Sequence, residues 1–225
     1  MSVDADKNVK MWELSSDSVI STYNVFARTP VTGKYSKDGS RIAIGYIEQT
    51  IHIVNALTRV KAAEVATGQA VEEVDWNEDS TKFLDCGMFN LGNVRLASTF
   101  STSTVHRLKP INSCKFMENE NLILGVDTQS VEVYNAGTTT SPFIVSTQST
   151  RYNCVDRNMD NSWIIVAGDN GRGYAIDVGT SLTHELMSII GSFLGCAYSR
   201  ASDYFAFSGD DNKIYLFDAS NNSLT

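Results

Sequence analysis

A short segment with the pattern of a β-strand recurs six times along this 225-residue chain. In each copy apolar and polar residues alternate, and the copy ends on a bulky or apolar residue followed by a polar one, as at Val54 and Asn55. The copies begin at Val9, Ile51, Val94, Val131, Gly173 and Ile214, which are 42, 43, 37, 42 and 41 residues apart. Alternation of this kind is typical of a half-buried strand. The sequence therefore predicts an all-β chain made of repeated units.

A second series of segments shares the same period. It begins at Thr32, Glu73, Ser113, Asn153 and Gly195, in steps of 41, 40, 40 and 42 residues. A polar turn rich in Asp, Asn, Gly and Ser follows each copy, and then a hydrophobic strand such as Arg41–Gly45. Each unit is predicted to run strand, turn, strand, hairpin, strand and then a weaker outer strand such as Lys61–Val65. About 40 to 45 residues in four strands is the size of one β-propeller blade.

The units resemble WD40 repeats. Asp6 stands six residues before Trp12, and Asp211 is placed likewise before Phe217 in the last repeat. The chain departs from that family because Trp12 is followed by Glu13 and no Trp-Asp or Gly-His dipeptide occurs. The resemblance implies a β-propeller of WD40-like four-stranded blades and leaves the function open, because function depends on sites carried by a fold.

We expect one domain, 1–225, in six repeat units. The approximate units are 1–27, 28–68, 69–107, 108–148, 149–189 and 190–225. Strand count gives about five and a half to six blades with the first incomplete, or part of a seven-bladed propeller. Unpaired sheet edges invite association, so we expect another protein or a further segment of chain to complete the first blade.

Composition limits the partners of this chain. Its net charge is −8 and its pI is about 4.8, so the average field repels phosphate and direct binding of nucleic acid is not expected. The longest apolar run, Trp163 to Ala167, is far shorter than the about 20 residues that cross a bilayer. Met1 to Asp6 do not have the pattern of a secretory signal. We expect a cytoplasmic protein with no membrane partner.

No catalytic, metal-binding or cofactor-binding residues are predicted. Cys86, Cys114, Cys154 and Cys196 form no Cys-x-x-Cys pair. Three of them, Cys114, Cys154 and Cys196, are aligned at one site of successive first strands, where we expect small buried side chains that lie too far apart for disulfides.

Other residues that suggest chemistry have a structural interpretation. His52, His106 and His184 fall at unrelated phases of the repeat, with His52 expected to point outward. The glycine-rich stretch from Gly168 to Gly173 precedes a strand, which favours a hairpin turn over a phosphate loop. Four aromatic residues recur at the repeat period and are expected to pack between blades: Tyr35, Trp76, Phe116 and Tyr198.

Polar and acidic residues gather at the hairpins between second and third strands. The candidate protein-binding rim, here called the hairpin rim, consists of Glu48, Gln49, Asp127, Asp169, Asn170, Asp210 and Asp211. These residues form either a solvated rim that tightens turns or an acidic patch that steers a basic partner.

The expected function is a non-catalytic scaffold for protein–protein interactions, as a subunit of a larger intracellular assembly. A rigid surface loses little entropy on binding, which suits protein recognition. The alternatives are an RNA-associated or other structural subunit of a large particle and, with less support, a propeller enzyme.

Overall fold

The computed structural model describes residues 1–3, 7–13, 15–24, 28–87, 91–107, 111–119, 122–126, 130–138, 143–147 and 150–225. Every regular element in these ranges is a β-strand. No helix in the described ranges is long and apolar enough to cross a membrane. The fold is all-β, as the repeat predicts.

The strands form six antiparallel sheets in the described ranges, and each sheet is a meander in which strands adjacent in sequence pair with one another. The first sheet consists of β1 (Ser2–Val3), β2 (Asn8–Glu13) and β3 (Ser18–Asn24). The second consists of β4 (Pro30–Tyr35), β5 (Arg41–Tyr46), β6 (Thr50–Asn55) and β7 (Lys61–Ala66). The third consists of β8 (Val71–Trp76), β9 (Lys82–Gly87), β10 (Leu91–Leu96) and β11 (Thr102–Arg107).

The remaining three sheets follow the same plan. The fourth consists of β12 (Ser113–Phe116), β13 (Leu122–Val126), β14 (Ser130–Asn135) and β15 (Phe143–Thr147). The fifth consists of β16 (Tyr152–Arg157), β17 (Trp163–Gly168), β18 (Arg172–Asp177) and β19 (Thr183–Ser188). The sixth consists of β20 (Phe193–Tyr198), β21 (Tyr204–Gly209), β22 (Ile214–Asp218) and β23 (Ser223–Leu224). The predicted order of strands within a unit is confirmed.

The chain divides into two compact units, Met1–Pro110 and Ile111–Thr225. The first unit contains the first three sheets and the second unit contains the other three. Whether 1–225 forms one domain stays a prediction.

Within each unit the core lies between consecutive sheets. In the first unit, Val9 and Met11 pack against Ile42 and Ile44, and Ala43 packs on the other side of its sheet against the third sheet. In the second unit the fifth sheet is likewise covered on both faces, by the fourth and by the sixth sheet. Alternate residues of a strand point to opposite faces, so strands of a sheet covered on both sides are apolar at nearly every position.

The turn between the first and second strands repeats in detail. In four sheets a side-chain oxygen at the start of the turn accepts a hydrogen bond from the backbone amide five residues later. The pairs are Ser36 with Arg41 (2.9 Å), Asn77 with Lys82 (2.7 Å), Asn158 with Trp163 (2.9 Å) and Ser199 with Tyr204 (3.1 Å). Small polar residues recur in these turns because their side chains bond to the backbone.

Two predicted segments are out of register with the pairing. The third copy of the strand that begins the repeat was placed at Val94 to Ser98, but β10 ends at Leu96. A shift of two residues leaves each side chain on its predicted face.

In the fourth copy of the second series the shift is one residue, and the face changes. In the fourth and sixth sheets, Cys114 and Cys196 pair with the fourth residue of the second strand. In the fifth sheet the residue that pairs with the fourth residue of the second strand is Val155. Cys154 pairs with the fifth residue, Ala167. The alignment of Cys154 with the other two cysteines is therefore wrong, and its side chain lies on the opposite face of its strand.

The first and sixth sheets each contain a two-residue strand that the pattern did not predict. β1 pairs with β2, with Val3 opposite Val9, and β23 pairs with β22, with Leu224 opposite Phe217. Among the described residues the first sheet has three strands, with no counterpart of the first strands β4 or β8. The expectation that another protein or segment completes this blade stays a prediction.

Candidate protein-binding surfaces

The hairpin rim begins with Glu48 and Gln49, in the turn between β5 and β6, where both are exposed. Each carboxylate oxygen of Glu48 lies 2.9 Å from the backbone amide of Thr29, just before β4. Partial burial raises the pKa of Glu48, but the hydrogen bonds from Thr29 outweigh it and hold that pKa below its usual value. Gln49 has a positive φ of 61°, and its carbonyl oxygen accepts the amide of Thr67. This part of the rim ties together three connections at one end of the second sheet.

Asp169 and Asn170 occupy the equivalent hairpin, between β17 and β18, and are also exposed. Asp169 accepts hydrogen bonds from the Thr150 hydroxyl at 2.8 Å and from the Arg151 amide at 3.2 Å. Asn170 donates to the hydroxyl of Tyr174 at 3.1 Å. A carboxylate again holds the chain that leads into the first strand of its sheet.

Asp210 and Asp211 lie in the hairpin between β21 and β22. Asp211 accepts a hydrogen bond from the hydroxyl of Tyr215 at 2.5 Å, which lowers the pKa of Asp211. The exposed Asp210 closely approaches Gly191, where an added Cβ would meet its carboxylate at 2.1 Å, and Gly191 has a φ of +114°. Only glycine suits such a position.

The structure brings two of these hairpins together. Ser192, between β19 and β20, donates through its hydroxyl to the carbonyl of Asp169 at 2.8 Å, and its own carbonyl accepts the amide of Asp210 at 3.0 Å. Asp127 lies outside the described residues. The local hydrogen bonds of Glu48, Asp169 and Asp211 support a role in tightening turns, while the exposed charges keep the interpretation as an acidic patch open.

A second surface is apolar and was not predicted. One face of the sixth sheet is buried, because Phe193, Phe205, Phe207 and Phe217 pack against the fifth sheet. The opposite face carries Tyr204, Ile214 and Leu216, which are 43%, 77% and 45% exposed. These three residues, together with the small Ala197 and Ala206 beside them in the pairing, are here called the sixth-sheet apolar face.

The same positions are covered in the neighbouring sheet. Ala175 and Gly173 of β18 correspond to Leu216 and Ile214 in the pairing of second and third strands, and both are buried. A signal was present in the sequence, since β22 carries apolar residues on both of its faces. That pattern predicts a strand covered on both sides, and only the structure shows which side is exposed.

His52 is buried rather than outward-facing, so that expectation was wrong. Its Nδ1 lies 3.1 Å from the hydroxyl of Tyr46 and 3.4 Å from that of Tyr23 on the first sheet, and its Nε2 lies 3.3 Å from a carboxylate oxygen of Glu64. Burial lowers the pKa of His52, and the positive charge of Lys61 adds to this effect. Both faces of the second sheet are covered, so a side chain that alternates away from Ile51 and Ile53 is still buried.

Of the other predictions from the sequence, some are confirmed and some are not. His184 lies on the outer strand β19 and stacks against Trp163, while the side chain of His106 lies outside what the structure describes. Trp76 and Phe116 are buried as predicted, but Tyr35 is 40% exposed. Gly171, with a φ of +73°, forms the predicted hairpin turn before β18.

The cysteines do not share one state. Cys86 and Cys114 each take part in a disulfide, which was not predicted from the sequence. Cys154 and Cys196 are free and partly buried. Within the described ranges no group of three or more His, Cys, Asp or Glu side chains could hold a metal ion.

Comparison with known proteins supports the fold. No family model matches this sequence. The chain is similar to the β-propeller domain of Cps50 (Swd1) from Myceliophteria thermophila, with a TM-score of 0.76 and 11% sequence identity over 84% of this chain. The match spans 65% of the length of that chain, which is less than two thirds. The protein has the fold of a β-propeller, built mainly from four-stranded antiparallel sheets.

Proposed function

We propose that this protein is a non-catalytic scaffold that binds other proteins within a larger assembly, and that the sixth-sheet apolar face is its principal contact. The exposure of Tyr204, Ile214 and Leu216 on one continuous face carries the proposal. Contiguous exposed apolar surface is uncommon on soluble proteins and marks sites of interaction.

The partner that fits this face is a protein with an apolar surface of its own. In the fifth sheet the equivalent positions are covered by aromatic side chains, chiefly Phe207, whose ring lies 3.2 Å from the site of a Cβ on Gly173. The small residues Ala197 and Ala206 leave room on the sixth-sheet apolar face for large side chains of a partner. The partner therefore presents bulky apolar or aromatic groups.

Attraction between opposite charges would orient the partner on this face. The exposed Asp210 lies in the hairpin that leads directly into Ile214, at one end of the apolar face. A net charge of −8 favours partners with basic groups. We propose that basic residues of the partner lie beside its apolar contact, opposite the sixth-sheet part of the hairpin rim.

The test is quantitative affinity purification from the native source. Wild type, the double variant Ile214→Asp with Leu216→Asp, and the control Leu57→Asp are tagged and expressed at equal levels. Leu57 is 86% exposed in the turn after β6. We expect proteins enriched by the wild type to be retained by Leu57→Asp and lost from the double variant.

Equal thermal stability of the variants is checked before purification, because the exposed positions tolerate charge without loss of core packing. Retention of the same partners by the double variant would contradict the assignment of this face.

A further inference from the structure

Two free thiols meet between the fifth and sixth sheets. Cys154 lies on β16 and Cys196 on β20, the first strands of the two sheets. Because Cys154 is offset by one residue in the pairing, its side chain points towards the sixth sheet, whereas Cys196 lies on the face that packs against the fifth.

The contacts confirm this arrangement. The Cys154 thiol lies 3.3 Å from the carbonyl oxygen of Cys196, and the Cys196 thiol lies 3.8 Å from the carbonyl oxygen of Ile165 on β17. Each of the two cysteines also shifts the pKa of the other thiol. A disulfide requires Cα atoms about 4.4 to 6.8 Å apart and Cβ vectors that do not point apart. The opposite orientation of these two side chains turns them towards each other across the two sheets.

The electrostatic surroundings make the two thiols unequal. The hydrogen bond from Cys196 lowers the pKa of Cys154, partial burial opposes this, and the positive charge of Lys115 assists it. Burial raises the pKa of Cys196, and the neighbouring Cys154 and Asp156 raise it further. The thiolate is the reactive form of cysteine, so Cys154 is the nucleophile of the pair.

We propose that Cys154 and Cys196 form a reversible disulfide when the protein meets a peroxide, and that this bond joins the fifth and sixth sheets. The Cys154 thiolate attacks one oxygen of hydrogen peroxide, the O–O bond breaks, hydroxide leaves, and Cys154 becomes a sulfenic acid. The sulfur of Cys196 then attacks the sulfur of Cys154, the S–O bond breaks, and the oxygen leaves as water after taking up a proton. Two thiols are oxidised, one peroxide is reduced, and a dithiol reductant reverses the reaction.

The proposed disulfide does not depend on the proposed function, but it would affect the sheet that carries the proposed binding surface. It would fix β20 against β16 and so stiffen the sheet that carries the sixth-sheet apolar face. A cross-link also restricts the unfolded chain, so the oxidised protein should melt at a higher temperature than the reduced protein.

Peptide mapping tests the proposal. The full chain is treated with hydrogen peroxide, remaining thiols are alkylated, and the protein is digested with trypsin, which yields peptide 152–157 with Cys154 and peptide 173–200 with Cys196. We expect these two peptides joined, with a mass two hydrogens below their sum, and their separation after treatment with dithiothreitol.

Single variants separate the two roles. Cys196→Ser should leave Cys154 trapped as sulfenic acid, detected with a dimedone probe, whereas Cys154→Ser should leave Cys196 reduced under the same dose. Oxidation of wild-type Cys154 to sulfinic acid without the joined peptide, or equal oxidation of Cys196 in Cys154→Ser, would overturn the proposal. A shift of melting temperature on oxidation in wild type, absent in both variants, would support it.

Discussion

Asp85 is a carboxylate at a position where other sheets are apolar. Asp85 lies on β9 and pairs with Asn93 on β10. The equivalent residues on the second strands of the second, fifth and sixth sheets are Ile44, Val166 and Phe207. Asp85 is fully buried and forms an ion pair with the buried Arg95, while Asn93 donates to its other oxygen at 2.7 Å. A buried charge is tolerated only when it is paired and hydrogen-bonded, so these three residues act as one group in the third sheet.

Removing one member of this group should strongly lower the free energy of unfolding. Arg95→Met leaves Asp85 buried without its counter-charge, and we expect a loss of about 3 to 5 kcal/mol in the free energy of unfolding. Chemical denaturation measures this loss. The double variant Asp85→Val with Arg95→Met should recover much of it, and a double variant as unstable as the single one would contradict the account.

Carboxylates of the first turns give a prediction on pH. Hydroxyl hydrogen bonds hold the pKa of Asp38, Asp79 and Asp160 below the usual value, chiefly from Ser36, Thr81 and Ser162 respectively. A depressed carboxyl pKa in the folded state stabilises the protein above the unfolded pKa, about 4, and this contribution is lost as the pH falls through the folded pKa. Unfolding free energy should therefore fall below about pH 4, less steeply in Asp160→Asn than in wild type; equal steepness would count against the hydrogen bonds.

At the scale of elements, consecutive sheets are joined at their first turns. In three cases a turn amide donates to the side chain of a residue with positive φ in the next sheet: Asp38 to Ser80 (3.1 Å), Glu118 to Asn161 (3.1 Å) and Met159 to Ser202 (2.7 Å). Left-handed residues other than glycine are uncommon. Here the side chain that causes the strain also makes the contact between sheets.

Variants of Ser202 separate these two effects. Ser202→Ala keeps the strained φ and loses the hydrogen bond, so we expect it to lower stability by about 0.5 to 1.5 kcal/mol. Ser202→Gly loses the same hydrogen bond but relieves the strain, which is worth about 1 to 2 kcal/mol, and should be close to neutral. Thermal and chemical unfolding compare the two variants, and equal losses in both would show that strain plays no part.

The sequence predicted the strands well because a hydrophobic second strand after a polar turn recurs along the chain, as β5, β17 and β21 show. It was less reliable on which face a residue occupies. Cys154 was aligned by identity with Cys196, but the pairing places it one residue away and on the other face. Periodicity assigns residues to the two faces of a strand but does not show whether another sheet packs on each face. For that reason neither the burial of His52 nor the exposure of Leu216 was predicted.

At the scale of the whole molecule, charge should govern the rate of association. The proposed partner carries basic groups, so Asp210→Lys should slow association and reduce its dependence on salt concentration, because attraction between opposite charges is screened by salt. Glu78→Lys makes the same charge change in an exposed turn before β9 and serves as the matched control. Stopped-flow or surface-based kinetics measure both, and an unchanged salt dependence in Asp210→Lys would contradict a steering role for the hairpin rim.

The exposed apolar side chains of the sixth sheet are the basis of the proposed function, and contact at that face can be measured directly. A photo-crosslinking amino acid is placed at Leu216 or, as control, at Leu57, and the protein is irradiated in extract from its native source. We expect a discrete crosslinked protein from position 216 that is absent from position 57. Crosslinks of equal yield and identity from both positions, or none from position 216, would contradict it.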